Sequence, residues 1–186
     1  NLTDVYQLVT YTVVPVSPVG CVDGPSEDII VTVNPTPRAT PLNINNFKPD
    51  SSICFGGSAN ILLTTPTQMS AGYGNIIFDY KVSVTGTGVV TGIMTPDSNR
   101  LPLYTIVRSY QNSSDTIQSV YFSITPKIDN AVCSKGPALI SKIKVHARPL
   151  QSIVVTKPLT CSGGAGLASL RSVISKGANP YQVVWD

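Results

Sequence analysis

The stretch "NLTDVYQLVTYTVVP" (1–15) returns as "NSSDTIQSVYFSITP" (112–126). An offset of 111 sets Asn1 on Asn112, Asp4 on Asp115, Gln7 on Gln118, Val9 on Val120, Tyr11 on Phe122 and Pro15 on Pro126. One inserted residue then moves the offset to 112. Cys21 falls on Cys133, Gly24 on Gly136, Pro25 on Pro137, Val33 on Val145 and Pro37 on Pro149. Self-similarity over this length marks a repeated structural unit. A shorter match joins "ICFGGSANILL" (53–63) to "TCSGGAGLASL" (160–170), each a Cys, a Gly pair and an alternating apolar run. The first match closes a unit and the second opens one. Residues 1–37 are therefore expected to be the C-terminal part of one domain, 38–149 a complete domain, and 150–186 the N-terminal part of a third. The chain is expected to be a section of a longer array.

Composition agrees with β structure throughout. Charged residues make up 12% of the chain, and Pro (15) and Gly (14) are plentiful among Val, Ile, Thr and Ser. β-Branched side chains lose χ1 freedom in a helix and Pro removes a backbone donor, so this mixture favours short strands joined by turns. The reading is an all-β chain. No apolar run approaches the roughly 20 residues of a membrane span, and no stretch reads as a signal peptide. The net charge of +3 is too small to argue for nucleic acid. Charge is uneven: residues 1–37 carry four acids and no base, whereas 38–149 carry ten bases and five acids. The shift coincides with "NPTPRATPL" (34–42), whose prolines stiffen a linker and interrupt sheet pairing.

Strands are expected at 59–64, 76–84, 88–94, 103–108, 117–125 and 138–146. Ile143, Val145 and Ala147 alternate with Lys142, Lys144, His146 and Arg148, so one face is buried and one is wet. Six or seven short strands in a unit of this size fit an immunoglobulin-like β-sandwich. A small closed barrel would carry the same pattern.

In the modular reading, each domain has one Cys near its start and one near its end. Cys54 and Cys133 then share a domain and can pair, while Cys21 and Cys161 find partners outside the chain. Such a bridge would constrain the unfolded state by roughly 4 kcal/mol and would place the protein in an oxidising, extracytoplasmic setting. The alternative is a pair of buried free thiols. With no CxxC pair and one His, a zinc set is missing.

The segment "YTVVPVSPVGCVDGPSEDIIVTVNPTP" (11–37) resembles the end of the PKD-like domains strung together in surface proteins of Bacteroidota. "SVYFSITPKIDNAVCSKGPALISKIKVHARP" (119–149) resembles it more loosely, lacking a Gly before Cys133. "QSIVVTKPLTCSGGAGLASLRSVISKGANPYQVVWD" (151–186) is similar to the start of a SprB repeat. Gly177, Pro180, Tyr181 and Trp185 hold that repeat's closing pattern. The resemblance implies tandem PKD-like β-sandwiches followed by a SprB repeat. It further implies a very large gliding-motility adhesin, exported by the type 9 secretion system and displayed on the cell surface. The competing expectation is a spacer or carbohydrate-binding module of a secreted polysaccharide-degrading enzyme.

Catalysis has little support in the residues. His146 has no acid nearby in sequence, the ten carboxylates are scattered, and no calcium loop or paired Glu occurs. No cofactor is expected. The Gly56–Gly57 and Gly163–Gly164 pairs read as turns needing positive φ. The stripe Lys142, Lys144, His146 and Arg148 could contact an acidic polysaccharide or a neighbouring domain; its plain reading is a solvated edge strand guarded by lysines. Asp115-Thr116-Ile117 resembles the motif at which Bacteroidota attach O-glycans, which makes Thr116 a candidate. "NLT" (1–3) and "NSS" (112–114) match N-glycosylation sequons, which a bacterial protein would leave unused. The partners expected are neighbouring domains of the same chain, with surface polysaccharide or the motility machinery beyond them.

Overall fold

The computed structural model describes residues 1–40, 42–43, 50–85, 89–129, 135–157, 169–177 and 181–184. Among them there is no helix. The strands are β1 (Gln7–Val13), β2 (Glu27–Val33), β3 (Leu42–Asn43), β4 (Asp50–Ile53), β5 (Ser58–Leu62), β6 (Ile76–Val84), β7 (Val90–Thr91), β8 (Asp97–Arg100), β9 (Thr105–Ser109), β10 (Gln111–Asn112), β11 (Gln118–Ile128), β12 (Leu139–Val145), β13 (Leu150–Lys157) and β14 (Ser169–Ser175). The all-β expectation holds.

The described strands fall into two ribbons and a central group of sheets. Among the described residues, β1 pairs only with β2, and β13 only with β14. Between these two ribbons, one sheet runs β4-β12-β11-β6-β8 and a second runs β3-β5-β9, with a short β7–β10 pair beside them. All ladders are antiparallel except β4 on β12, which is parallel. The two larger sheets share one core and no strand, which gives an open two-layer arrangement and not a closed barrel.

Alternation decides which side chains fill that core. Along β11, Val120, Phe122, Ile124, Pro126 and Ile128 are buried while the residues between them are half-buried, as a period of two requires. Phe78 and Tyr80 of β6 and Ile143 and Val145 of β12 extend the same face. Ile61, Leu63, Ile106 and Tyr110 meet them from the opposite sheet side. Burying each such side chain is worth about 1.5–3 kcal/mol. Tyr110 meets Phe122 edge-on, with ring centroids 6.3 Å apart at 80°.

Three features differ from the sequence expectations. Of the run expected at 88–94, residue 88 lies outside the described residues, and within 89–94 the strand is the two-residue β7. β4 and β8 appear where no alternation announced them. β8 is held by side chains: Arg100 donates twice to Asp97 Oδ2 (2.8 and 2.6 Å) and lies 4.7 Å over the Tyr104 ring, and the Tyr80 hydroxyl donates to the same carboxylate at 3.4 Å. Finally, β12 is not an edge strand, because β4 covers its outer side. The plain reading of the basic stripe as a guarded edge is corrected accordingly. No described helix is long and apolar enough to cross a membrane.

Candidate functional site

The residues that read as sequons build a turn. Asn112 is fully buried. Its amide donates to the carbonyls of Thr116 and Val145, both at 2.8 Å. Its Oδ1 accepts from the Ser114 backbone N–H (3.0 Å) and hydroxyl (2.7 Å). All of the amide's hydrogen-bonding capacity is thereby used, and the loop is pinned to the last residue of β12. Asn1 makes the same set of bonds: its amide to Val5 and Val33 (2.8 and 2.9 Å), its Oδ1 from the Thr3 N–H and hydroxyl (3.0 and 2.8 Å). Gln7 and Gln118 reach the Thr3 and Ser114 hydroxyls in turn.

The likeness continues along the ribbon. β1 on β2 runs from Gln7↔Val33 to Val13↔Glu27, and β11 on β12 runs from Gln118↔Val145 to Ile124↔Leu139, pair for pair in the same register. Beyond the strands, Gly24 N–H donates to the Pro15 carbonyl at 2.9 Å and Gly136 N–H to the Pro126 carbonyl at 2.8 Å. A side chain at Gly136 would collide with the Pro37 carbonyl, so the linker can lie against this turn only because the residue is Gly.

The turns stand where the parts of the chain meet. At the first joint, Gln68 N–H donates to the Asp4 carbonyl (2.7 Å), Tyr6 N–H to the Gln68 carbonyl (3.3 Å), and Ser70 N–H to Asn34 Oδ1 (3.1 Å). Arg38 Nη1 lies 3.2 Å from Asp4 Oδ1, and its Nη2 donates to the Leu2 carbonyl. At the second joint, Lys176 forms an ion pair with Asp115. Phe55, Asn112, Ser114, Arg148, Leu150 and Lys176 line a cavity of about 210 Å³ there.

The basic stripe is exposed in part only. Lys144 and Arg148 are exposed, whereas Lys142 and His146 are half-buried, and both His146 and Arg148 lie past the end of β12. Lys142 Nζ sits 5.8 Å from the Tyr121 ring and Arg148 lies 5.9 Å over Phe55, so aromatic faces hold two of the stripe's three Lys and Arg side chains. His146 N–H donates to the Ile53 carbonyl, extending the β4–β12 ladder, and its Nδ1 is buried without a partner among the described residues.

Cys21 and Cys54 are exposed, and among the described residues neither is bonded to another cysteine. Cys133 and Cys161 lie outside the described residues, as do Gly163, Gly164, Pro180 and Trp185. Cys54 opens a turn closed by Gly57 N–H to its carbonyl (2.9 Å), and Gly56 there has φ +76°, as the turn reading required. Thr116 is exposed, and its hydroxyl accepts from Gln118 Nε2 at 3.0 Å. Among the described residues, no three His, Cys, Asp or Glu side chains gather as metal ligands.

Two functional features escaped the sequence reading. One is the double use of Asn1 and Asn112, whose signal was the recurrence of N-x-[ST]-D-x-x-Q in both copies. The other is Gln68, for which the sequence carries no signal. No protein-family model matches the chain, and no curated protein matches it.

Proposed function

We propose that this chain is a mechanical and adhesive segment of a long, repetitive cell-surface protein, non-catalytic and built from tandem β-sandwiches. The observation that carries the reading is the parallel pairing of β4 with β12. The central unit's chain enters that sheet through β4 and leaves it through β12, and the two strands are zipped from Lys142↔Asp50 to Val145↔Ile53. Tension on the two ends pulls these strands past each other. The ladder bonds must then break together and not one after another.

The strand order supports an immunoglobulin-like assignment. An early segment divides between the two sheets, β3 on β5 in one and β4 on the final strand in the other, around antiparallel partners. The duplicated ribbon supports the array: β1–β2 presents Val9, Tyr11 and Val13 to solvent where Val120, Phe122 and Ile124 are buried. The rest of a sandwich would cover that face. PKD-like domains followed by a SprB repeat, in an exported gliding-motility adhesin of Bacteroidota, is the family that fits this order. In that setting Cys54 closes with Cys133, Cys21 and Cys161 bond outside the chain, and Thr116 is the O-glycan acceptor. The outer face around Lys142, Lys144 and Tyr121 gives the second reading its support, a polysaccharide-contacting module of a secreted enzyme.

Single-molecule pulling tests the mechanical reading. With handles on the two ends of the chain, the central unit should give one high-force rupture. Ser51→Pro and Ser52→Pro are the probes of the ladder, since a Pro there removes a donor. At least one of the two should lower the rupture force severalfold. A central unit that opens at the same low force as the two ribbons, with or without the Pro, would contradict the reading.

A further inference from the structure

Asp4 and Asp115 occupy equivalent places in equivalent turns, and each meets a cation belonging to the next part of the chain. Asp4 Oδ1 is 3.2 Å from Arg38, the first residue after the Pro37 linker. Asp115 pairs with Lys176, which follows β14. The two cations come from unrelated positions, yet the acceptor is the same. We infer that the N-x-[ST]-D turn is an inter-module clasp whose partner is a basic side chain of the downstream module. This inference rests on the modular reading.

The chemistry of the turn suits that role. Asn112 and Ser114 spend their hydrogen bonds inside the module, fixing the loop to β12, while Asp115 projects into solvent, 71% exposed. A carboxylate on a pinned loop loses little further entropy when it takes a partner. The opposite side is fixed as well. Lys176 holds φ +64°, uncommon for a residue with a side chain, and the Tyr181 hydroxyl donates to its carbonyl. Gly177 follows at φ +78°, and a side chain there would come within 2.9 Å of linker Pro149. At the first joint, the backbone bonds between Gln68 and the Asp4–Tyr6 segment lie alongside the ion pair. The clasp therefore biases the angle between modules, and salt tunes it because the pair is near the surface.

The test uses ¹⁵N relaxation of the whole chain, comparing the tumbling of β13–β14 with that of the central sandwich. In low salt the two should share one correlation time. Asp115→Asn or Lys176→Gln should lower the docking equilibrium constant of the joint about two- to fivefold, the range of a surface ion pair. β13–β14 should then tumble faster, with central-unit chemical shifts unchanged away from the turn. One molar NaCl should act in the same direction. The double swap Asp115→Lys with Lys176→Asp should restore common tumbling, which a merely damaged loop would not do. Unchanged tumbling in Asp115→Asn, or failure of the swap to rescue, overturns the clasp. Neither outcome bears on the pulling experiment, which reads β4–β12 and not the joint.

Discussion

The ribbon β1–β2 and the pair β11–β12 make an internal comparison. Sequence skeleton, register, Asn turn and Gly–Pro bond are the same in both, and solvent exposure is not. Val120, Phe122 and Ile124 are 0% exposed, whereas Val9, Tyr11 and Val13 are 37%, 57% and 50% exposed. Turn and register are thus set by local residues, through a handful of side-chain bonds. Burial is set by strands far away in sequence: β6 beside β11, β4 beside β12, and the β3-β5-β9 sheet across the core.

Breaking the comparison at its apolar face should give the largest effect. Phe122→Ala removes a fully buried ring and should destabilise the central unit by about 3–5 kcal/mol. The equivalent Tyr11→Ala should cost under about 1 kcal/mol in this chain, because that ring is already more than half in water. Urea unfolding of the two variants measures both numbers.

The turn itself gives the next effect. Asn112→Ala leaves the buried Val145 carbonyl and the Ser114 donors short of a partner and should cost about 2–4 kcal/mol. Asn1→Ala breaks the same bonds in contact with water and should cost under about 1 kcal/mol. If the two costs were equal, burial would not be what separates the copies.

Alkaline titration sharpens the comparison from inside the core. Burial pushes the Tyr80 and Tyr110 hydroxyls up to about 12. A folded-state pKa above the unfolded one contributes stability that is complete below pH 10 and lost as pH rises through about 12. Unfolding in that window, followed by tyrosinate absorbance, should remove the central unit's protection. The acid side has the opposite sign. Hydrogen bonds from Arg100 hold the Asp97 carboxyl below its usual range, so its contribution is present above the ordinary carboxylate pKa and fades as pH falls through the lowered one. The smallest effect concerns Tyr110, whose hydroxyl is buried without a hydrogen-bond partner among the described residues. Tyr110→Phe should leave the edge-on contact to Phe122 in place and raise stability by up to about 1 kcal/mol, readable as a small rise in the urea midpoint.

Much of this architecture was legible in the residues. Alternation located β6, β11 and β12, because a half-buried strand writes its period into its side chains. β4 was not legible: "DSSI" (50–53) is short and polar and pairs through its backbone with a partner some ninety residues away. β8 was hidden for a different reason. "DSNR" (97–100) reads as a turn, and Asn99 does adopt φ +60°, but the Asp97–Arg100–Tyr80 contacts hold it to the sheet. The Asn turns were visible as motifs, matching sequons read as unused, but their structural role was not, since a three-residue pattern cannot say whether an amide faces water or the Val145 carbonyl.

Amide hydrogen exchange of the ribbon against its copy tests the central claim most directly. In the 186-residue chain, β11–β12 amides should exchange only on global unfolding, while β1–β2 amides, in the same register, should exchange orders of magnitude faster. In a longer chain that supplies the rest of the proposed sandwich, β1–β2 should become as protected as β11–β12. A ribbon equally protected in the isolated chain, or still unprotected in the longer one, would contradict the reading of residues 1–37 as the closing strands of a sandwich.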